Sequence, residues 1–88
     1  MKRRTFNATI TDTDTMTEIA ATTTNAWNSG IRATEALLRE HARNNETIFE
    51  ARDNPTVIGG MESPDRQYMR TWRGRNGQTI VASVWEVK

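Results

Sequence analysis

The sequence predicts an α+β fold in which one long amphipathic helix packs on a small, mostly antiparallel sheet, in the order β-α-β-β-β(-β). Three observations predict it. Residues 4–10 alternate between apolar and polar side chains, residues 15–45 follow a helical period, and an Asn-Gly pair separates two alternating segments near the end of the chain. The length of 88 residues corresponds to a single domain, 1–88.

The first element is a half-buried strand at residues 4–10. Phe6, Ala8 and Ile10 share one face, and the residues between them are threonine and asparagine. This alternation is typical of a strand with one face on the core.

Residues 15–45 are predicted to form one continuous helix. At 3.6 residues per turn, most apolar side chains of this segment fall on one arc centred on Trp27. Thr15 and Glu18 have the spacing of a capping box. The middle of the segment has low helix propensity, so burial of the Trp27 face must stabilise the helix there. The alternative is a break near Ser29 that divides it into two helices.

The predicted helix is longer than the domain is wide. A helix over 15–45 extends about 45 Å, whereas a compact domain of this size is roughly 30 Å across. One end of the apolar arc would protrude, and a two-fold partner would cover it. We therefore expect a homodimer or higher symmetric oligomer. The expected self-association residues are Met16, Ile19, Trp27, Ile31, Leu37 and Leu38.

The polar face of this helix carries a stripe of arginines, Arg32, Arg39 and Arg43. Glu35 precedes Arg39 by four residues, which favours a solvated surface whose charges pair with one another over the alternative of an anion site. His41 lies on the apolar arc, and we interpret it as a residue at the boundary of the core.

The chain after the helix is predicted to be extended. Residues 46–52 form the second strand, with Ile48 buried on one face and Phe49 on the other. Asp53-Asn54-Pro55 is a turn signal, and residues 56–58 form a short strand or an extended connection.

The last third of the chain is predicted to be a hairpin of strands 67–73 and 79–87. Asn76-Gly77 as a two-residue turn would pair Trp72 with Val81. A four-residue loop would change the partners but not the faces. One face then carries Met69, Thr71, Ile80, Ala82 and Val84, and the other carries Tyr68, Arg70, Trp72, Val81, Ser83, Trp85 and Val87.

The aromatic face of the hairpin is the candidate binding surface. We expect the aliphatic face to pack on the helix, which leaves the aromatic face open. Rings interspersed with arginine suit a stacked base or nucleotide, and they also suit a protein–protein hot spot. The alternative is that the packing is reversed and the aromatics are core. The candidate ligand- or partner-binding residues are Tyr68, Arg70, Trp72, Trp85 and Arg66.

The composition excludes several classes of function. The chain has no cysteine and one histidine, so we expect no metal site and no cofactor. No nucleophile–base arrangement or fixed carboxylate pair is recognisable, so we expect no enzyme activity. A net charge of +1 argues against an electrostatic nucleic-acid coat. No segment is long and apolar enough to span a membrane, and we expect a cytoplasmic protein.

The size and layout of the chain resemble several small phage proteins, anti-CRISPR inhibitors among them. The resemblance covers the whole chain as a strand, a helix and a β-meander, with no shared motif. It implies a non-catalytic binding protein in the host cytoplasm, a phage-type inhibitor that binds a protein of a host defence complex or sequesters its signal. The alternative is a nucleotide- or nucleic-acid-binding module that uses the Arg/aromatic sheet face.

Overall fold

A computed structural model describes residues 4–87, so residues 1–3 and 88 of the expected domain lie outside the described residues. The elements are β1 (Phe6–Asp12), β2 (Thr17–Thr24), α1 (Trp27–Asn44), β3 (Phe49–Ala51), β4 (Thr56–Ile58), β5 (Gln67–Gly74) and β6 (Thr79–Glu86). All strand pairs are antiparallel, the sheet order is β2-β1-β6-β5-β3, and β4 also pairs with β5. The predicted α+β class, one helix on an antiparallel sheet, is confirmed.

The first third of the predicted helix is wrong, because residues 17–24 form strand β2 and add one strand before the helix. β2 pairs with β1 from Phe6 opposite Thr24 to Asp12 opposite Thr17. Threonine has a restricted χ1 angle and favours strands. In a hairpin with β1, the backbone N–H and C=O groups of this segment form hydrogen bonds, whereas its threonines favour a helix only weakly. The capping box at Thr15 is therefore also wrong. Instead, Asp12 Oδ1 accepts hydrogen bonds from the N–H groups of Asp14 at 2.8 Å and Thr15 at 3.3 Å.

The helix runs from Trp27 to Asn44 without a break near Ser29, and its predicted end is confirmed. Glu46 has φ 49, and the N–H of Thr47 donates to the Ala42 carbonyl at 3.0 Å. This is the Schellman arrangement, with a glutamate in the left-handed position that glycine usually occupies.

The helix packs on the inner face of the sheet. Gly30, Thr34 and Leu38 are its buried residues. A β-carbon added at Gly30 would lie 2.9 Å from Val84 Cγ1, so the helix approaches β6 closely there. The buried apolar core consists of Phe6, Ala8, Ile10, Leu38, Tyr68, Ile80, Ala82 and Val84.

The β5–β6 hairpin is confirmed, but its register differs from the predicted one by one residue. The N–H of Gly74 donates to the Gln78 carbonyl at 2.8 Å, the N–H of Gly77 donates to the Gly74 carbonyl at 2.9 Å, and Gly77 has φ 92. The loop is therefore the three residues 75–77, a turn followed by a left-handed glycine. Two- and four-residue loops preserve which faces meet, whereas a three-residue loop inverts them.

Because of this register, the two predicted hairpin faces are wrong. Tyr68 lies opposite Val84, Arg70 opposite Ala82 and Trp72 opposite Ile80. The β6 residues predicted to face the helix do face it. The β5 residues beside them, however, are Tyr68, Arg70 and Trp72 rather than Met69 and Thr71.

β3 and β4 form a broken edge strand along β5. The predicted strand 46–52 is shorter, at Phe49–Ala51, and Ile48 is 53% exposed rather than buried. The predicted short strand at 56–58 is confirmed. In the gap between them, the N–H of Thr71 donates to Asp53 Oδ1 at 3.2 Å and the N–H of Arg52 donates to the Thr71 carbonyl at 2.9 Å.

Candidate binding surfaces

The register divides the predicted aromatic binding surface between the two faces of the sheet. Tyr68, Arg70 and Trp72 lie on the inner face, and Trp85, opposite Gln67, lies on the outer one. The sequence placed these side chains together, and the structure separates them.

On the inner face, these residues contribute to the core and its margin. Tyr68 is 2% exposed, and burial raises the pKa of its hydroxyl. The Arg66 guanidinium lies 4.2 Å from the centre of the Trp27 ring. The Arg70 guanidinium lies 5.0 Å from the Trp72 ring centre, and its Nε donates to the Asp53 carbonyl at 3.2 Å. The alternative that the aromatics are core is therefore right for Tyr68, and Trp72 packs against the core while partly exposed.

The helix residues expected to form a dimer contact their own chain. Leu38 is buried, and Ile19, Trp27, Ile31 and Leu37 pack against the core. Met16 is 79% exposed, but it lies in the β1–β2 turn. An 18-residue helix is about 27 Å long, so the overhang on which the dimer argument depended does not exist. Self-association remains a prediction without that argument.

The outer face of the sheet is an open surface. No helix of the described chain packs on it, since α1 lies on the inner face. All six strands contribute side chains to it, and the side chains across its centre are uncharged. They are Asn7, Thr9, Thr11, Ala21, Thr23, Thr56, Ile58, Gln67, Met69, Thr71, Val81, Ser83 and Trp85.

Trp85 stands between two shallow depressions on this outer face. One, of about 370 Å³, is lined by Pro64 and Val87 together with the charged residues Asp65, Arg66 and Glu86, and the other, of about 250 Å³, lies towards Met69 and Ser83. Trp85 is half-buried and Met69 is 39% exposed. The surface therefore offers part of an indole ring and a flexible thioether among threonines.

A second concave surface, the helix–sheet groove, lies between the C-terminal half of α1 and strands β3 and β5. Its volume is about 540 Å³, and its lining includes Leu38, Phe49 and Trp72, with Arg39 and Arg43 from the helix. The sequence alone gave no signal for this groove, because it depends on the crossing of distant elements.

The two groove arginines are not paired as the sequence predicted. The ion pairs within residues 4–87 are Arg4 with Glu86 at 2.9 Å and Arg75 with Glu50 at 3.3 Å. Arg39 is thus not within ion-pair distance of Glu35, four residues before it, and the expected self-paired stripe is wrong at this point.

His41 anchors the end of the helix, as its interpretation as a boundary residue predicted. His41 Nε2 lies 3.0 Å from Gln78 Oε1, and Gln78 Nε2 donates to Asp12 Oδ2 at 2.7 Å. The hydrogen bond from Gln78, together with that from the Asp14 N–H, lowers the pKa of the Asp12 carboxyl. The ring of His41 lies 5.8 Å from that of Phe49. These contacts give the histidine a structural role.

A search of the described residues finds no group of three or more His, Cys, Asp or Glu side chains that could hold a metal ion. Among these residues, no helix combines the length and the apolar character needed to cross a membrane. No protein-family model, curated protein or solved structure matches the chain.

Proposed function

We propose that this chain is a non-catalytic protein-binding module and that it binds its partner through the outer face of the sheet. The observation that carries the proposal is a sheet face on which no helix packs and whose outward-facing strand residues around Trp85 and Met69 are uncharged. Interface centres are depleted in charged residues and enriched in tryptophan and methionine. Tryptophan is also common among the residues that dominate binding energy.

The charge distribution supports a protein partner over a nucleic acid. Nucleic-acid surfaces place lysine or arginine along the phosphate path. On the outer face, the charged strand residues lie at the ends, Glu18 opposite Thr11 and Arg73 opposite Thr79 and Glu50. The Arg73 guanidinium donates to Thr79 Oγ1 at 2.8 Å. The depression beside Trp85 is lined by Arg66 together with Asp65 and Glu86, so its described lining carries more negative than positive charge, unlike the cationic path that a nucleic acid needs.

The size of the face predicts a modest affinity. Strands of eight residues are about 26 Å long, and five adjacent strands span about 19 Å, so the face offers roughly 500 Å². Stable interfaces use about 800 Å² per partner. We therefore expect a transient complex with a micromolar Kd. Inhibition of a host defence protein in the host cytoplasm is the particular form of binding we propose from the size and layout of the chain.

The test compares capture of bacterial proteins by the immobilised wild-type chain and by Trp85→Ala and Met69→Ser. Met61→Ser is the matched control, since Met61 is 73% exposed and lies in the loop before β5. For a partner captured and then purified, calorimetry should show about a 30-fold loss of affinity for Trp85→Ala and none for Met61→Ser. Wild-type affinity in Trp85→Ala would refute the assignment of the face.

Salt dependence separates the two classes of partner. The Kd of a protein complex formed on this face should change less than about threefold when NaCl is raised from about 0.1 to about 0.5 M. A steep loss of affinity with salt, together with binding to oligonucleotides, would instead favour the nucleic-acid module.

A further inference from the structure

The geometry points to a second binding site, the helix–sheet groove, for a small aromatic carboxylate. This site is separate from the outer face and does not depend on the proposed function. The groove is formed by the helix on one side and by β3 and β5 on the other, and its volume of about 540 Å³ lies within the range of small-molecule sites.

The apolar part of the groove suits a flat ring. Leu38 is buried, and Phe49 and Trp72 are half-buried, so each aromatic side chain presents part of its surface to the groove. Ring–ring contacts at such a surface add to the free energy of burying apolar area. The Arg70 guanidinium lies over the Trp72 ring and is tied to the Asp53 carbonyl, which helps to hold the indole in place.

The charged part of the groove suits one carboxylate. Arg39 and Arg43 lie one helical turn apart on the same side, both line the groove, and neither makes an ion pair among residues 4–87. The planar guanidinium matches a carboxylate in a bidentate manner. Two arginines one turn apart have β-carbons about 6 Å apart, so they can bind the same anion.

The net charge of the lining selects a monoanion. Glu35 also lines the groove, so two cations and one carboxylate leave a single positive charge. The groove lies beside the C-terminal half of the helix, where the negative end of the helix dipole disfavours bound anions, and a dianion more than a monoanion. A nucleoside monophosphate, which is a dianion, is therefore the poorer match.

The test follows the indole N–H signals of the three tryptophans by NMR while 2-naphthoate is added. Small ligands of this size typically bind with a Kd of about 1 mM. We expect the Trp72 signal to move and the Trp85 signal to stay in place. Movement of the Trp85 signal alone, or of no indole signal at about 5 mM naphthoate, would overturn the site.

Matched variants test the role of the arginines. Arg39→Gln and Arg43→Gln should each weaken naphthoate binding about tenfold. Arg32→Gln, an exposed arginine on the same helix that does not line the groove, should leave it unchanged. Equal weakening in all three variants would refute the assignment.

Matched ligands test the charge requirement. The uncharged 2-naphthalenemethanol and the dianion adenosine 5′-monophosphate should both bind more weakly than 2-naphthoate. Equal binding of the alcohol would show that the anion is not recognised, and tighter binding of the nucleotide would overturn the preference for a monoanion.

Discussion

Replacing Gly30 by alanine tests where the helix lies on the sheet. In an exposed helix this change stabilises a protein by about 1 kcal/mol, because glycine is the poorer helix former. Here the new β-carbon would lie 2.9 Å from Val84 Cγ1, closer than packed carbons tolerate. Val84 is fully buried, and a β-branched side chain has little freedom to move.

The magnitude follows from these two opposing effects. Overpacking of a core typically costs about 1 to 3 kcal/mol, which exceeds the gain in helix propensity. We therefore expect Gly30→Ala to lower the free energy of unfolding by up to about 2 kcal/mol. In a Val84→Ala background the clash is absent, and the same change should stabilise by about 1 kcal/mol.

Urea denaturation of the wild type, the two single variants and the double variant measures this coupling. The coupling free energy should be about 1 to 3 kcal/mol, because the two residues are in contact. If Gly30→Ala alone stabilises the protein by about 1 kcal/mol, the helix does not approach β6 at this point and the packing described above is wrong.

Four further substitutions probe the turns and the end of the helix. Gly77→Ala should destabilise the protein by about 1 kcal/mol because Gly77 has φ 92, whereas Gly60→Ala should be nearly neutral, since its φ is not positive and nothing lies within 4 Å of the added carbon. Glu46→Gly should raise the melting temperature, with a gain of about 0.5 to 1 kcal/mol, because it relieves a left-handed glutamate. Asp12→Asn should destabilise at neutral pH. Because the pKa of Asp12 is lowered in the folded state, its carboxylate contributes stability above the unfolded pKa of about 3.9, and this contribution is lost as pH falls through the folded pKa. The free energies of unfolding of wild type and variant, measured by urea denaturation, should therefore converge at low pH.

In the hairpin, local sequence signals predict the turn and both strands correctly, but they assign the side chains to the wrong faces. Asn76-Gly77 located the turn, and both strands were predicted within about two residues. The number of loop residues was not determined by that signal, because Asn-Gly fits a two-residue turn and also the end of a three-residue loop. The difference of one residue moved Tyr68 and Trp72 to the side of the helix.

The first third of the predicted helix failed for a related reason. Ala20, Thr23 and Trp27 fit a helical arc, although the threonines at residues 22–24 have low helix propensity. That low propensity was the better guide. A strand at 17–24 gains a partner in β1, which a window of local sequence does not contain.

The sequence by itself determined the α+β class, the first strand, the end of the helix, the final hairpin and the burial of Phe6, Ala8 and Ile10. These depend on local periodicity and on turn residues, which any short window contains. Only the tertiary structure decided that residues 17–24 form a strand, that Trp85 and Trp72 lie on opposite faces, and that a groove forms beside Arg39. Those outcomes depend on strand register and on the packing of elements distant in the chain, and the free energy that selects them comes from contacts between residues that no local pattern brings together.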